Sequence, residues 1–245
     1  MIVNYQPVID LTSGNVAKVE VLCRTEQPGQ TITDMVRSAE QSGDIKKMTD
    51  RVMEIAFSEW KKYAHPKIGL SVNLSMRNLD EKDFPKRVMR ALKKHRFDPS
   101  SLWFEIDEKA QKFTNGEWLA RMRELASTGV RFSVDSFGAG ELSQATIHDL
   151  SRMPIAELKI DGRVIADADH NMDHRNDITA TVGMARQLHL ATSAKGIERA
   201  EIAGLIGRMG ITYGQGYFFA RPLPIGTIGS GIDTFRYPFA GAVAT

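Results

Sequence analysis

Short runs rich in β-branched and aromatic residues recur along the chain, separated by longer stretches whose apolar positions fall at helical spacing. The β-like runs are Val3 to Ile9, Ala17 to Arg24, Ile68 to Asn73, Leu102 to Ile106, Val130 to Asp135, Glu157 to Ile160, Leu190 to Ala194 and Gly216 to Phe219. Ile45, Met48, Val52, Ile55 and Ala56 mark one helix face, Val88 with Leu92 a second, and Trp118 with Met122 and Leu125 a third. Eight strands alternating with helices predict an α/β fold, a single TIM-like (β/α)8 barrel. Only the hairpin-length turn Asp10-Leu11-Thr12-Ser13-Gly14-Asn15 separates the first two runs. The first strand is therefore expected antiparallel to its neighbour, which makes the barrel irregular.

Composition adds limits. The 245 residues, 42% hydrophobic and 25% charged, suffice for one large barrel or two small domains. No Pro/Ser-rich linker or internal repeat divides them, so one domain is expected over residues 1–225. The Gly-rich tail, 226–245, carries Phe235, Tyr237 and Phe239 and is expected to pack on the barrel or to be partly flexible. Lys and Arg number 32 against 30 Asp and Glu, with no run of one sign, and nothing demands a nucleic acid polymer. No stretch approaches the roughly 18 to 20 apolar residues that span a bilayer, and Met1 to Pro7 lacks the features of a signal peptide. The expectation is a cytoplasmic domain that makes no membrane contact.

Single residues of several types have structural readings. Cys23, the only cysteine, excludes a disulfide framework and reads as a buried thiol. His170 and His174, four residues apart, read as part of a solvated loop ahead of a helix starting near Asp177 rather than as metal ligands. Trp60, Met48 and Met53 read as helix-face packing.

The chemistry of such barrels collects at the C-terminal ends of the strands. Here Glu20 lies in a β-rich run, and Asn73, Glu105 and Asp135 each close one. Oxygen-only ligands of this kind suit a hard divalent cation such as Mg²⁺ or Mn²⁺. Lys159, Lys195 and Gln215 extend the ring.

These segments resemble the EAL family of cyclic di-GMP phosphodiesterases over almost the whole chain. Tyr5-Gln6-Pro7-Val8-Ile9-Asp10-Leu11 resembles its opening strand, and Glu20-Val21-Leu22 with Arg24 its name motif and following arginine. Val72-Asn73-Leu74-Ser75, Glu105-Ile106-Asp107-Glu108 and Leu158-Lys159-Ile160-Asp161 stand for its Asn, Glu-x-x-Glu and lysine motifs. Gln215-Gly216-Tyr217, followed by Arg221-Pro222-Leu223-Pro224, resembles its closing signature. The resemblance implies a barrel, a cyclic di-GMP ligand, and a hydrolysis in which two cations activate water and steady the phosphate. It implies nucleotide contacts at Gln6, Arg24, Asn73 and Gln215, and the ammonium of Lys195, a departure from the family, is expected to add a further contact. It also implies vestigial catalytic positions at Lys159 and Glu198, and one cation at most on Glu20, Asn73, Glu105 and Asp135. Asp161 is expected to brace the site.

The departures fall on one half of that site. Where the family has paired aspartates before Phe-Gly-Thr-Gly, this chain reads Asp135-Ser136-Phe137-Gly138-Ala139-Gly140. Where it has Glu-Gly-Val-Glu, this chain reads Lys195-Gly196-Ile197-Glu198. Two unit charges about 4 Å apart interact by about 4 kcal/mol at an effective dielectric near 20, and a divalent ion facing Lys195 roughly doubles that repulsion. About 4 kcal/mol at the barrier is close to a thousandfold in rate. Asp107 replaces a usual Thr, and Ala139 to Gln144 replaces the loop that in the family couples the site to dimer contacts.

Three functions follow as expectations. The first is a cyclic di-GMP receptor or regulatory module in which the Lys195 ammonium pairs with a phosphate oxygen. The second is an interaction protein that no longer binds nucleotide and holds a protein partner on the barrel exterior or the strand-end face; a homodimer is a separate expectation. The third is a slow phosphodiesterase that gives the linear dinucleotide pGpG.

Overall fold

The computed structural model describes residues 1–25, 29–63, 68–107, 116–137, 144–229 and 232. Strands β1 (Ile2–Asp10) and β2 (Val16–Arg24) form an antiparallel hairpin in which Gln6 stands opposite Glu20. Asp10 turns the chain between them, its Oδ1 accepting the backbone N–H groups of Thr12 and Ser13 at 2.9 and 2.8 Å. From β2 onward each strand runs parallel to the next: β3 (Gly69–Asn73), β4 (Leu102–Asp107), β5 (Arg131–Phe137), β6 (Glu157–Ile160), β7 (Ala191–Ala194) and β8 (Tyr213–Gly214). Strand β8 then pairs antiparallel with β1 and closes the barrel.

Outside the sheet lie α1 (Ile32–Ser42), α2 (Ile45–Tyr63), α3 (Met76–Leu79), α4 (Phe84–His95), α5 (Glu117–Ser127), α6 (Gln144–Arg152), α7 (Gly162–Ile165), α8 (Met172–Gln187), α9 (Ala200–Arg208) and α10 (Ile225–Gly229). Helix α2 buries Ile45, Val52, Met53, Ala56, Phe57 and Trp60, the face its periodicity predicts. Met48 and Ile55 sit half-buried at its margins. Val88 and Leu92 in α4, and Trp118, Met122 and Leu125 in α5, are buried as predicted. None of the described helices is long and apolar enough to cross a membrane.

Parallel barrel strands are ordinarily apolar on both faces. Here alternate positions are polar and buried: Lys18 and Glu20, Ser71, Glu105, Ser133, Glu157 and Lys159, and Ser193. Near the N-terminal end of the barrel the Lys18 ammonium pairs with Glu157 and lies 4.1 Å from the ring centre of Trp103.

Two expectations are corrected. The apolar run Gly216 to Phe219 is not a strand: the eighth strand is the two-residue Tyr213–Gly214 just before it. Past Gln215 the backbone turns against the segment after β7, with Ile197 N–H donating to the Gln215 carbonyl at 3.0 Å and Phe218 N–H to the Ile197 carbonyl at 3.0 Å. A Cβ on Gly216 would lie 2.0 Å from the Ile197 carbonyl oxygen, so only glycine fits that approach. Helix α8 begins at Met172 rather than near Asp177, because Asn171 caps it, Oδ1 accepting from the N–H groups of Asp173 and His174. His174 is thus in the first helical turn, Nδ1 2.6 Å from Asp167, while His170 faces Asp169 at 3.2 Å.

Ile225, Ile228 and Ile232 are buried in the core, and α10 lies against α2 and β1. Phe235, Tyr237 and Phe239 lie outside the described residues.

Candidate functional site

The strand ends converge as the sequence pattern implies. Asn73 in β3 stands in register with Glu105 in β4, and Asp107 with Asp135 in β5. A cavity of about 580 Å³ opens beside them, lined by Glu20, Asn73, Glu105, Asp107 and Asp135 on the barrel side. Its outer wall is α1, which contributes Ile32, Val36, Arg37 and Glu40, with Met48 and Val52 from α2. Cys23 is half-buried and lines this cavity rather than being sealed in the core. The volume lies in the range of small-ligand sites, about 300–1,000 Å³.

Glu20 is the hub. It accepts Asn73 Nδ2 at 3.0 Å, Gln215 Nε2 at 2.8 Å and Lys159 Nζ at 3.0 Å. Burial alone would raise its pKa, but the Lys159 charge and the two amide donors outweigh burial and hold it at about 2. Lys159 also contacts Glu105, whose other oxygen accepts Ser71 Oγ at 2.5 Å. Burial and the neighbouring Glu20 charge push Glu105 up to about 7 against the opposing pull of Lys159. Lys159, for which burial works the other way, is held above the ordinary lysine range by Glu105 and Glu20. One ammonium thus serves two buried carboxylates.

A second cationic contact stands one strand further on. Lys195 Nζ, at the end of β7, lies 2.6 Å from Asp135 Oδ1 and donates to Ser136 Oγ at 3.1 Å. Register is lost in β5 between Val134 and Phe137, and Ser136 takes φ 58° there. Such a bulge brings both Asp135 and Ser136 to the mouth.

The remaining expected residues are less central. Gln6 is buried in β1, with its Oε1 accepting Gln215 Nε2 at 3.2 Å and its Nε2 donating to the Ala220 carbonyl at 3.0 Å. Arg24 is exposed at the end of β2. Asp161 caps α7, Oδ1 accepting the Arg163 N–H at 2.8 Å. Glu198 is exposed between β7 and α9 and does not line the cavity. Glu108 and the loop from 138 to 143 lie outside the described residues.

Sequence reasoning missed Ser71 and the α1 wall. Ser71 was findable, since it stands two residues before Asn73 and shares its face of β3. Helix α1 announces itself by Thr31-x-x-Asp34, a capping box present in the structure. That α1 borders the cavity has no local signal. It follows from packing and from Ser75 Oγ donating to Glu40 at 2.6 Å.

Among the described residues no group of three or more acidic, His or Cys side chains is placed to hold a metal ion. The reason is electrostatic: Lys159 bridges Glu20 and Glu105, and Lys195 holds Asp135. In this arrangement lysines face the three carboxylates of the expected cation set.

The barrel is TIM-like with a reversed first strand and brings Glu20, Asn73, Glu105, Asp135, Lys159 and Gln215 together. The chain matches the EAL domain family over residues 1–222, and it belongs to that family. The cyclic di-GMP phosphodiesterase NbdA of Pseudomonas aeruginosa is 28% identical over 243 residues, which cover 97% of this chain and 31% of NbdA. The bifunctional diguanylate cyclase/cyclic di-GMP phosphodiesterase MucR of the same bacterium is 29% identical over 230 residues, 91% of this chain and 33% of MucR. The chain therefore spans about a third of the length of these relatives. A solved structure of the PaMucR phosphodiesterase in complex with c-di-GMP superposes with a TM-score of 0.85 at 29% identity and covers 93% of each chain.

Proposed function

We propose that this chain is a cyclic di-GMP receptor domain that regulates signalling and does not hydrolyse its ligand efficiently. The observation that carries the reading is the Lys195 ammonium 2.6 Å from Asp135 Oδ1, with Ser136 beside it, where the family places carboxylates. The kinship to phosphodiesterases such as NbdA and the MucR–c-di-GMP structure supports the ligand. Cyclic di-GMP is a dianion, and Lys195, paired with the cavity residue Asp135, and Arg24 at the end of β2 are cations suited to it, while Asn73 lines the cavity and keeps one amide N–H for a base or phosphate oxygen. Hydrolysis needs attacking and leaving oxygens steadied together. With two expected carboxylates gone and an ammonium in place of one, that arrangement is not available.

Calorimetric titration with cyclic di-GMP, paired with chromatography of the incubated mixture, tests this. Saturable binding with Kd below about 100 μM is expected. Linear dinucleotide is expected at no more than roughly a thousandth of the rate of an active member of the family. Absence of binding, or turnover at the rate of an active member, overturns the reading.

A further inference from the structure

We propose that Lys195 is the resident cation of the barrel mouth, so that phosphate binding here requires no divalent metal and divalent ions do not enter. The ligand half of this inference rests on the cyclic di-GMP reading above; the cation half stands by itself.

An ammonium has three N–H donors. Ser136 takes one of them, and Asp135 Oδ1 faces the ammonium at 2.6 Å as an ion pair, so the ammonium keeps N–H capacity for an oxygen of an incoming phosphate. Both charged side chains are largely shielded, Lys195 being 25% and Asp135 21% exposed. The pair is therefore screened far less than a surface contact. Ser136 fits this partner better than a carboxylate would if no second metal is to be held, since a hydroxyl accepts from the ammonium without adding negative charge. The Ser and Lys together make the mouth three charge units more positive than an Asp and Glu at the same positions.

The lysine is also anchored. Its backbone N–H donates to the Ile160 carbonyl at 3.3 Å. Gly196, next in the chain, takes φ 68° and packs so tightly on the β6–α7 corner that a Cβ there would lie 3.3 Å from the Gly162 Cα. On the facing strand, the bulge places the Ser136 hydroxyl to receive the ammonium. These are features of a built position, not of a lysine swung into solvent. A divalent ion would have to displace Lys195 from Asp135 and then sit beside it.

The test uses Mn²⁺ alone, followed by electron paramagnetic resonance, and cyclic di-GMP titrated calorimetrically in EDTA and in Mg²⁺. For the unmodified chain we expect no bound Mn²⁺ at about 100 μM, and nucleotide affinity equal within about twofold in the two buffers. Ser136→Asp with Lys195→Glu should bind Mn²⁺ and make nucleotide affinity depend on metal by at least about tenfold, while Lys195→Met should weaken binding in EDTA by about tenfold. Stoichiometric Mn²⁺ on the unmodified chain, a tenfold loss of its nucleotide affinity in EDTA, or unchanged affinity in Lys195→Met overturns the inference. If no form binds nucleotide, the receptor reading falls, and the Mn²⁺ result on the unmodified chain still decides whether Lys195 excludes metal.

Discussion

A buried ammonium persists only where carboxylates surround it, because losing a partner strands an unpaired charge in a low-dielectric interior. Lys18 and Lys159, 1% and 0% exposed, both meet that condition, Lys18 with Glu157 and Lys159 with Glu20 and Glu105. The Lys18 pair lies toward the other end of the barrel and reaches the site only through a minor effect of its charge on Glu105, so it tests the interior. Glu157→Ala should cost about 3–5 kcal/mol in denaturant unfolding, whereas Lys18→Met combined with Glu157→Leu should recover most of that loss. A double variant as unstable as the single one would show that packing rather than charge sets the cost. At this scale the sequence was informative about identity and silent about pairing. Glu20, Asn73, Glu105, Asp135 and Lys195 could be picked out because each interrupts or ends an apolar run. That Lys159 bridges two carboxylates, and that Lys195 turns onto Asp135, depends on strands far apart in the chain.

At the scale of elements, periodicity located the strands and helices whose apolar residues face a core, and it failed where backbone packing decided the outcome. The run Gly216-Tyr217-Phe218-Phe219 has strand composition but turns, because Gly216 lies against the backbone of Ile197. Neighbouring Gln215 reaches both Glu20 and Gln6, so this turn positions part of the mouth. Gly216→Ala should therefore lower stability by about 2–3 kcal/mol or more through overpacking against backbone. In a domain of this size that is a fall of roughly 4–12 °C in Tm by thermal scanning. A Tm unchanged within error would mean that the turn yields easily. Helix α8 starts earlier than its apolar pattern suggests for a different reason: Asn171 sits in a polar run, and its capping of the Asp173 and His174 N–H groups, not periodicity, sets the start.

For the whole molecule, the closed ring β1 to β8 and the burial of Ile225, Ile228 and Ile232 make the start of the tail part of the core. Truncation after Ile225 removes two of these side chains, each worth about 1.5–3 kcal/mol when fully buried. Residues 1–225 alone should thus be less stable than residues 1–245 by about 3–6 kcal/mol in denaturant unfolding. Equal stability would place the tail outside the cooperative unit. The sequence by itself determined the barrel class, the reversed first strand, the strand-end residues and the exchange of two expected carboxylates for Ser136 and Lys195, since each of these is written in local pattern or residue identity. Only the tertiary structure decided that α1 walls the cavity, that the eighth strand ends before Gln215, and that Lys195 rests on Asp135. Those outcomes depend on which distant segments meet, and on how buried charges satisfy one another once water is gone.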